Sequence, residues 1–212
     1  MVFVQTSPNF SMNTNLNSIK AVLFDLDGVL IDATEWHYEA LNRALGLFGF
    51  TITREDHIEK YNGLPTKIKL GMMKDLPEAL HPIINKLKAE YTMRLIELHC
   101  RPAYEKILML KYLKSQGLKI ACCSNATTES VNEMLKRAEL TSYFDIIYGN
   151  TSGFKSKPDP EIYIETIKNF GFLPSECLIV EDSPHGIEAA QASGAKVIQV
   201  KGYSEVNLSL FD

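Results

Sequence analysis

The sequence predicts an α/β fold, in which a doubly wound, Rossmann-like parallel sheet carries an inserted α-helical domain. Three observations support this prediction: short apolar runs recur along the chain, helical patterns separate them, and residues 34–99 lack a convincing strand. The runs are continuous rather than alternating, which is typical of parallel strands covered by helices on both faces. From residue 102 onward, helix and strand patterns alternate, as in other doubly wound sheets.

Five apolar runs of strand length are predicted to form the sheet. Four are clear, at residues 20–25, 118–123, 177–180 and 196–200, and a weaker one covers residues 144–148. Apolar spacing and end signals mark the helices between them. One predicted helix has an apolar face made of Val131, Met134, Leu135 and Ala138. Another begins at Asp159-Pro160-Glu161 and ends at Gly171.

Residues 34–99 are predicted to form a separate helical domain between the first strand and the rest of the sheet. Their apolar residues recur at helical spacing, as in Ile84, Leu87, Tyr91, Leu95 and Leu98. The core domain then comprises residues 19–33 and 100–212, with hinges near 32–34 and 99–102. Residues 1–18, rich in Asn, Ser and Thr, are predicted to be a mobile N-terminal tail.

Composition and charge exclude several classes of function. The chain has 212 residues, and its net charge of -4 does not favour binding to nucleic acid or to an anionic membrane. It has no apolar run of membrane-spanning length, and its first 18 residues lack the features of a signal peptide. The four cysteines form no CxxC pair and are expected to be reduced. We therefore expect a cytoplasmic protein that is a monomer or a weak dimer.

The sharpest feature of the sequence is the pair of acids after the first predicted strand, Asp25 and Asp27, followed directly by Gly28. Open α/β sheets place their sites at the carboxyl ends of strands, and glycine lets the backbone turn close to a ligand. Two carboxylates this close repel each other unless a cation or a catalytic task compensates. Turn-forming acids of an ordinary loop are the alternative interpretation.

Three further signals follow other predicted strands. Ser124 and Asn125 stand where a helix begins, which suits an anion, although both are also ordinary helix caps. Lys157 lies in a loop stiffened by two prolines, where a solvated lysine is the alternative. Glu181 and Asp182 directly follow a buried strand, where unpaired carboxylates are costly and where Mg²⁺ finds the oxygen ligands it prefers.

In this chain order, the four signals resemble the haloacid dehalogenase superfamily of phosphotransferases. The resemblance covers roughly residues 19–201. The insert after the first motif looks like the small α-helical cap domain of the β-phosphoglucomutase-like branch. The resemblance implies a small phosphorylated metabolite as the partner and Mg²⁺ as the cofactor.

The resemblance also implies roles for the core residues of the site. Asp25 would be the nucleophile that attacks phosphorus to form an aspartyl-phosphate. Asp27 would be the general acid and then the base that activates water. Ser124 would hydrogen-bond a phosphoryl oxygen, and Lys157 would offset the charge of Asp25 and of the phosphoryl group. Asn125 is expected to bind substrate beside them.

The implied metal ligands are Asp25, the backbone carbonyl of Asp27, and the pair Glu181 and Asp182. Asp182 would bind Mg²⁺ directly or through water. Many members of the superfamily carry Gly-Asp at this point and a further acid downstream. Here Gly186 stands in the downstream region, so Glu181 is expected to supply the second charge.

The cap is expected to select the substrate, because it would lie over the strand ends. Residues 60–66 look like its specificity loop, in which Asn62 and Thr66 are expected to bind the leaving group. His37 has two interpretations, as a partner of Asp27 that lines the site or as a packing histidine. β-Phosphoglucomutases carry an Arg and a second cation before the loop glycine, whereas this chain has Lys60 and a neutral Asn62.

The function implied is the Mg²⁺-dependent hydrolysis of a small phosphomonoester, such as a sugar phosphate or a similar metabolite. A phosphomutase of the β-phosphoglucomutase type is the alternative, which the missing loop cations disfavour. A non-catalytic phosphate-binding protein is a further alternative. A dehalogenase would not need the acids Glu181 and Asp182, and a phosphorelay receiver domain would be shorter and would lack the cap.

Overall fold

The computed structural model describes residues 16–211. The predicted N-terminal tail lies outside the described residues except for Leu16–Ser18, which form a short 3-10 helix. Residue 212, at the end of the predicted core, also lies outside them. None of the described helices is long and apolar enough to cross a membrane.

Five parallel strands form the sheet, in the order β3-β2-β1-β4-β5. Their bounds are β1 Ala21–Phe24, β2 Lys119–Cys123, β3 Ile146–Tyr148, β4 Cys177–Glu181 and β5 Lys196–Gln199. All five predicted strands are confirmed. The weakest predicted run forms β3, which is the shortest strand and lies at an edge of the sheet.

Eight α-helices connect the strands. Between β1 and β2 lie α1 Thr34–Gly46, α2 Arg54–Asp56, α3 Thr66–Met72, α4 His81–His99 and α5 Tyr104–Ser115, with His57–Tyr61 continuing α2 as a π-helical turn. The remaining helices are α6 Thr128–Arg137, α7 Glu161–Phe170 and α8 Pro184–Ala192. Short 3-10 turns cover Glu78–Leu80, Thr141–Tyr143, Pro174–Glu176, Tyr203–Glu205 and Leu208–Leu210. These counts refer to residues 16–211.

Both faces of the sheet are buried, which explains why the apolar runs are continuous. Val22 and Phe24 of β1 pack with residues of α5 and α6 on one face, whereas Ala21 and Leu23 pack with residues of α7 and α8 on the other. Successive side chains of a strand point to opposite faces, so each needs to be apolar when both faces are covered. The predicted doubly wound α/β fold is confirmed.

The helices from α1 to α4 enclose an apolar cluster of their own. Leu41, Leu45, Leu70 and Ile84 are buried there. α1 packs along α4, and α4 also contacts α6. Residues 34–99, all of them described, contain helices and no strand. α1 begins at Thr34 and α4 ends at His99, while the division into domains and the position of the hinges stay predictions.

The register of the sheet brings the predicted motifs to one end of it. Phe24, the last residue of β1, pairs with Cys122 of β2 and with Val180 of β4. Asp25 is therefore level with the residues that follow these two partners, Cys123 and Glu181. Because the three strands run in the same direction, segments that are far apart in the chain meet at their carboxyl ends.

Candidate active site

A cavity of about 120 Å³ lies between the carboxyl ends of the strands and the cap, which is the name used below for residues 34–99. All eight residues predicted for catalysis or substrate binding line this cavity: Asp25, Asp27, Ser124, Asn125 and Lys157 after the core strands, and His37, Asn62 and Thr66 in the cap. Glu181 and Asp182 do not line it, although their carboxylates lie close to Asp25. The structure therefore brings the whole predicted set together.

Lys157 joins the base of the site through three hydrogen bonds from one ammonium group. Its Nζ donates to Asp25 Oδ1 at 2.6 Å, to Glu181 Oε1 at 2.5 Å and to the carbonyl of Cys123 at 2.8 Å. Lys157 is only 2% exposed, so the solvated-lysine interpretation is wrong. Burial lowers its pKa, but the carboxylates of Asp25 and Glu181 outweigh burial and raise that pKa above its usual value.

Glu181 is fully buried, and both of its carboxylate oxygens are engaged. Oε1 accepts from Lys157 and, at 2.6 Å, from the hydroxyl of Tyr163. Oε2 accepts from the backbone N–H groups of Asp182 and Ser183 at 3.2 and 3.4 Å. Tyr163 comes from α7, and sequence analysis misses it because a lone tyrosine on the apolar face of a helix indicates only core packing.

Two glycines make room for the acids of the site. Gly28 has a φ of +86°, and a Cβ on it would lie 2.1 Å from Asp182 Oδ2. Gly186 in α8 is the second, since a Cβ there would lie 2.0 Å from Glu181 Oε1. The carboxylate of Glu181 thus occupies the space into which a side chain at position 186 would project. An acid at position 181 therefore requires a glycine at position 186.

Asp25, Glu181 and Asp182 together fit a hard divalent cation. One carboxylate oxygen from each lies within 4.8 Å of the others. Burial raises the pKa of Asp25, and Glu181 and Asp182 raise it further against the opposing charge of Lys157. Burial and Glu181 raise the pKa of Asp182 to about 7, and its buried Oδ1 has no hydrogen-bond partner among the described residues. Such a crowded, incompletely paired set of carboxylates is a typical environment for Mg²⁺.

Asp27 is connected to the cap by two successive hydrogen bonds. His37 Nε2 lies 3.1 Å from Asp27 Oδ1, and Lys88 Nζ lies 3.2 Å from His37 Nδ1. Because an ammonium group can only donate, Nδ1 accepts and Nε2 carries the ring proton that it donates to Asp27. Burial raises the pKa of Asp27, but His37 and Lys88 outweigh burial and hold it below its usual value. His37 is thus a partner of Asp27, as in the first interpretation.

Asn125 links three segments around the cavity. Its Nδ2 donates to the carbonyls of Gly63 in the cap and of Lys157 in the core at 2.9 and 3.2 Å, and its Oδ1 accepts from the N–H of Lys157 at 2.9 Å. Ser124 beside it is buried, and its Oγ accepts from the N–H of Ala126 at 3.0 Å. These bonds position two loops, while direct contact of Asn125 with substrate stays a prediction.

The cap supplies cations to the cavity from its helices rather than from its loop. Lys60, in the predicted specificity loop, is exposed and pairs with Asp56. Lys69 of α3 and Lys88 of α4 line the cavity instead. Burial lowers the pKa of Lys69 to about 7 and that of Lys88 to about 8. The argument that the cap lacks cations is therefore wrong, because it considered the loop and not the helices that pack over the strand ends.

Comparison with known proteins settles the family. Residues 22–200 match the family of haloacid dehalogenase-like hydrolases. The chain belongs to this family. The matched range contains the five strands, the cap and every predicted site residue, so the resemblance deduced from the acids at the strand ends is confirmed.

Relatives of this hydrolase are phosphatases. It is 29% identical over 185 residues to a phosphorylated carbohydrates phosphatase of Thermotoga maritima, a match that covers 85% of this chain and 84% of the relative. It is also 29% identical over 195 residues to a phosphoglycolate phosphatase of Aquifex aeolicus, which covers 92% and 91%. The prediction of a phosphoric monoester hydrolase is confirmed.

A solved structure shows the same fold. The β-phosphoglucomutase of Clostridium difficile has a TM-score of 0.77 and 23% identity to this hydrolase, and the match covers 92% of this chain and 93% of that one. The predicted likeness to β-phosphoglucomutase-like proteins is thus confirmed for the fold.

Gly186→Ala is expected to lower kcat for p-nitrophenyl phosphate by about 10²-fold. The added methyl group would displace the carboxylate of Glu181, and small displacements in a site have effects of this size. The same overpacking should lower the free energy of unfolding by about 1–3 kcal/mol. Steady-state kinetics and denaturant unfolding measure the two effects.

The matched control for this prediction is Gly46→Ala in α1, where a Cβ would meet nothing within 4 Å. Alanine favours helix, so this variant should keep wild-type activity and gain up to about 1 kcal/mol of stability. Equal losses of activity in both variants, or none in either, would show that space at position 186 does not matter.

Proposed function

We propose that this hydrolase is a Mg²⁺-dependent phosphatase of small phosphomonoesters, such as a sugar phosphate or a similar metabolite, and that it acts through an aspartyl-phosphate. The observation that carries the proposal is the buried cluster of Asp25, Lys157 and Glu181 at one end of a polar cavity. Asp27, hydrogen-bonded to His37 in the same cavity, adds a group able to transfer protons. Membership of the family and the names of its phosphatase relatives support the same chemistry.

Asp25 is the proposed nucleophile. Lys157 engages its Oδ1, which leaves Oδ2 to attack the phosphorus in line with the leaving oxygen. The bond from Oδ2 to phosphorus forms as the bond from phosphorus to the leaving oxygen breaks. Lys157 and the hydroxyl of Ser124 offset the charge on the phosphoryl oxygens. Water then attacks the phosphorus of the intermediate, which releases inorganic phosphate and restores the Asp25 carboxylate.

Asp27 is the proposed donor of a proton to the leaving oxygen and the acceptor of a proton from the attacking water. His37 and Lys88 keep the pKa of Asp27 low in the free enzyme. The negative phosphoryl group of a bound substrate would raise this pKa, because like charges disfavour ionisation. Substrate binding thus favours the protonated form needed first, and the ionised form that remains is the base needed second.

Mg²⁺ is the proposed cofactor, held by Asp25, Asp182 and the backbone carbonyl of Asp27, with Glu181 as the second acid. When bound, it would offset the charge of the carboxylates and of the phosphoryl group. Asp182, with an unpartnered buried oxygen, is suited to contact the cation directly. Glu181 already accepts hydrogen bonds at both oxygens, so its main contribution is negative charge and the orientation of Lys157.

Removal of divalent cations is expected to lower hydrolysis of p-nitrophenyl phosphate by at least about 10²-fold, since charge offset by a metal is worth several kcal/mol. Rates measured after exhaustive treatment with EDTA, and again after Mg²⁺ is added back, test this. Full activity in the chelated protein would contradict the cofactor assignment. If a broad panel of esters were untouched even with Mg²⁺, the alternative of a non-catalytic phosphate-binding protein would be favoured.

Asp25→Asn is expected to abolish turnover and leave the fold intact, because the amide has the same shape and is a poor nucleophile. Asp27→Asn should lower kcat by about 10²–10⁴, the usual contribution of general acid–base catalysis. Acid-quenched mass spectrometry should find a phosphoryl adduct on the wild type and none on Asp25→Asn. Exposed Asp75 offers a matched control, Asp75→Asn, which should behave as wild type. Near-wild-type turnover by Asp25→Asn would refute the nucleophile assignment.

A phosphomutase is the second candidate, and the two cap lysines favour it. A mutase must hold the distal phosphate of a bisphosphate, and Lys69 and Lys88 place cations in the cavity. Phosphorus NMR of a hexose phosphate incubated with a bisphosphate activator tests it. We expect release of inorganic phosphate, and isomerisation that outpaces this release would make the mutase the better assignment.

We propose a small phosphorylated metabolite as the partner, and we expect neither nucleic acid nor membrane to bind. The cytoplasmic location and the monomeric or weakly dimeric state also stay predictions.

A further inference from the structure

Lys69 is a buried cation in the cap that the mechanism above does not use. It belongs to α3, is 5% exposed and lines the cavity. Among residues 16–211 it makes no hydrogen bond and no ion pair, so its interactions are limited to the charges of its neighbours. Burying an ammonium group without a partner is costly. Lys67 in the same helix is exposed and does not line the cavity, which makes it a natural reference.

The neighbouring groups do not supply a dedicated counter-ion for Lys69. The nearest cavity acids are engaged elsewhere, since Asp27 accepts from His37 and Asp25 accepts from Lys157. Lys88 adds positive charge and is hydrogen-bonded to His37 rather than to an acid. Burial and the charge of Lys88 lower the pKa of Lys69 to about 7. An anion bound beside Lys69 would relieve both the missing partner and the repulsion between the lysines.

We propose that Lys69 binds a second anionic group on the leaving-group side of the substrate, and that it thereby selects short phosphomonoesters that carry a carboxylate or a second phosphate. This inference rests on the proposed function, which places the phosphoryl group at Asp25, Ser124 and Lys157. With that group held by the core, the cap residues contact the leaving group. Of the two cap lysines in the cavity, Lys69 has no hydrogen bond to give up when the anion binds.

The size of the cavity limits the leaving group. A volume of about 120 Å³ corresponds to roughly ten water-sized positions, and a phosphoryl group with its oxygens fills about half of them. What remains admits two or three carbons and one terminal anion. Lys69 therefore selects for a short, doubly anionic molecule rather than for a long or neutral one.

Three two-carbon phosphate esters that differ only at the far end provide the test: 2-phosphoglycolate, the bisphosphate of ethanediol, and neutral-ended 2-hydroxyethyl phosphate. In the wild type we expect kcat/KM for one of the anionic esters to exceed that for the neutral one by about 10–100-fold, the scale of a charged hydrogen bond. Whichever anionic ester is preferred identifies the group as carboxylate or phosphate. In Lys69→Met this ratio should approach one.

Two variants control for charge and for position. Lys69→Arg keeps the cation and should keep most of the preference, whereas Lys67→Met removes an exposed cation from the same helix and should leave the ratio unchanged. Lys69→Met should also raise the melting temperature of the unliganded protein, because it removes a buried, unpaired charge. If Lys69→Met fails to fold, Lys69→Gln replaces it in every assay.

Calorimetric titration with 2-phosphoglycolate and with ethanediol bisphosphate separates binding from turnover. In an Asp25→Asn background, adding Lys69→Met should weaken the binding of the preferred anion by about the factor seen in the kinetic ratio. An unchanged ratio and unchanged binding would overturn the role of Lys69, even if p-nitrophenyl phosphate is still hydrolysed with Mg²⁺ and the proposed function stands. If no ester is hydrolysed, the proposed function fails, and the titrations alone then decide whether Lys69 binds the anion.

Discussion

The ammonium group of Lys157 is the constraint around which the base of the site is arranged. Asp25 and Glu181 end neighbouring parallel strands, so the sheet brings two buried carboxylates together whether or not they repel each other. Lys157 lies between them and hydrogen-bonds to both, which makes the arrangement electrostatically tolerable. Tyr163 completes the contacts of Glu181, and Gly186 leaves the space in which that carboxylate sits. A change in any of these residues is therefore a change in where Lys157 can be.

The core and the cap contribute opposite charges to the cavity. The core provides the carboxylates at the strand ends, and the cap provides His37, Lys69 and Lys88. The cap is joined to the core by hydrogen bonds at Asn125 and at the pair of His37 with Asp27. Opposite charges attract more strongly once water is excluded, so the same groups that would read the substrate also favour a closed cavity. Specificity and closure are then consequences of one charge distribution.

Local signals predict the core well because parallel strands buried on both faces leave a clear pattern. Residues 20–25 read as a continuous apolar run since Val22 and Leu23 pack on opposite faces of the sheet. The acids after β1 and β4 are conspicuous because a charged residue next to a buried run is costly unless it is used. The cap is harder to predict in detail. Its short α2 and the π-helical turn His57–Tyr61 depend on packing within the cap rather than on a periodic pattern.

The amino-acid sequence by itself determined the class of fold, the order of the strands along the chain and the acids, serine and lysine that stand at their ends. It did so because burial on two faces and charge at a strand end are local properties that neighbouring residues reveal. The tertiary structure alone decided that Tyr163, Lys69 and Lys88 belong to the site. Each lies on a helix whose own pattern says only which face is buried, and what that face meets is set by how distant segments pack.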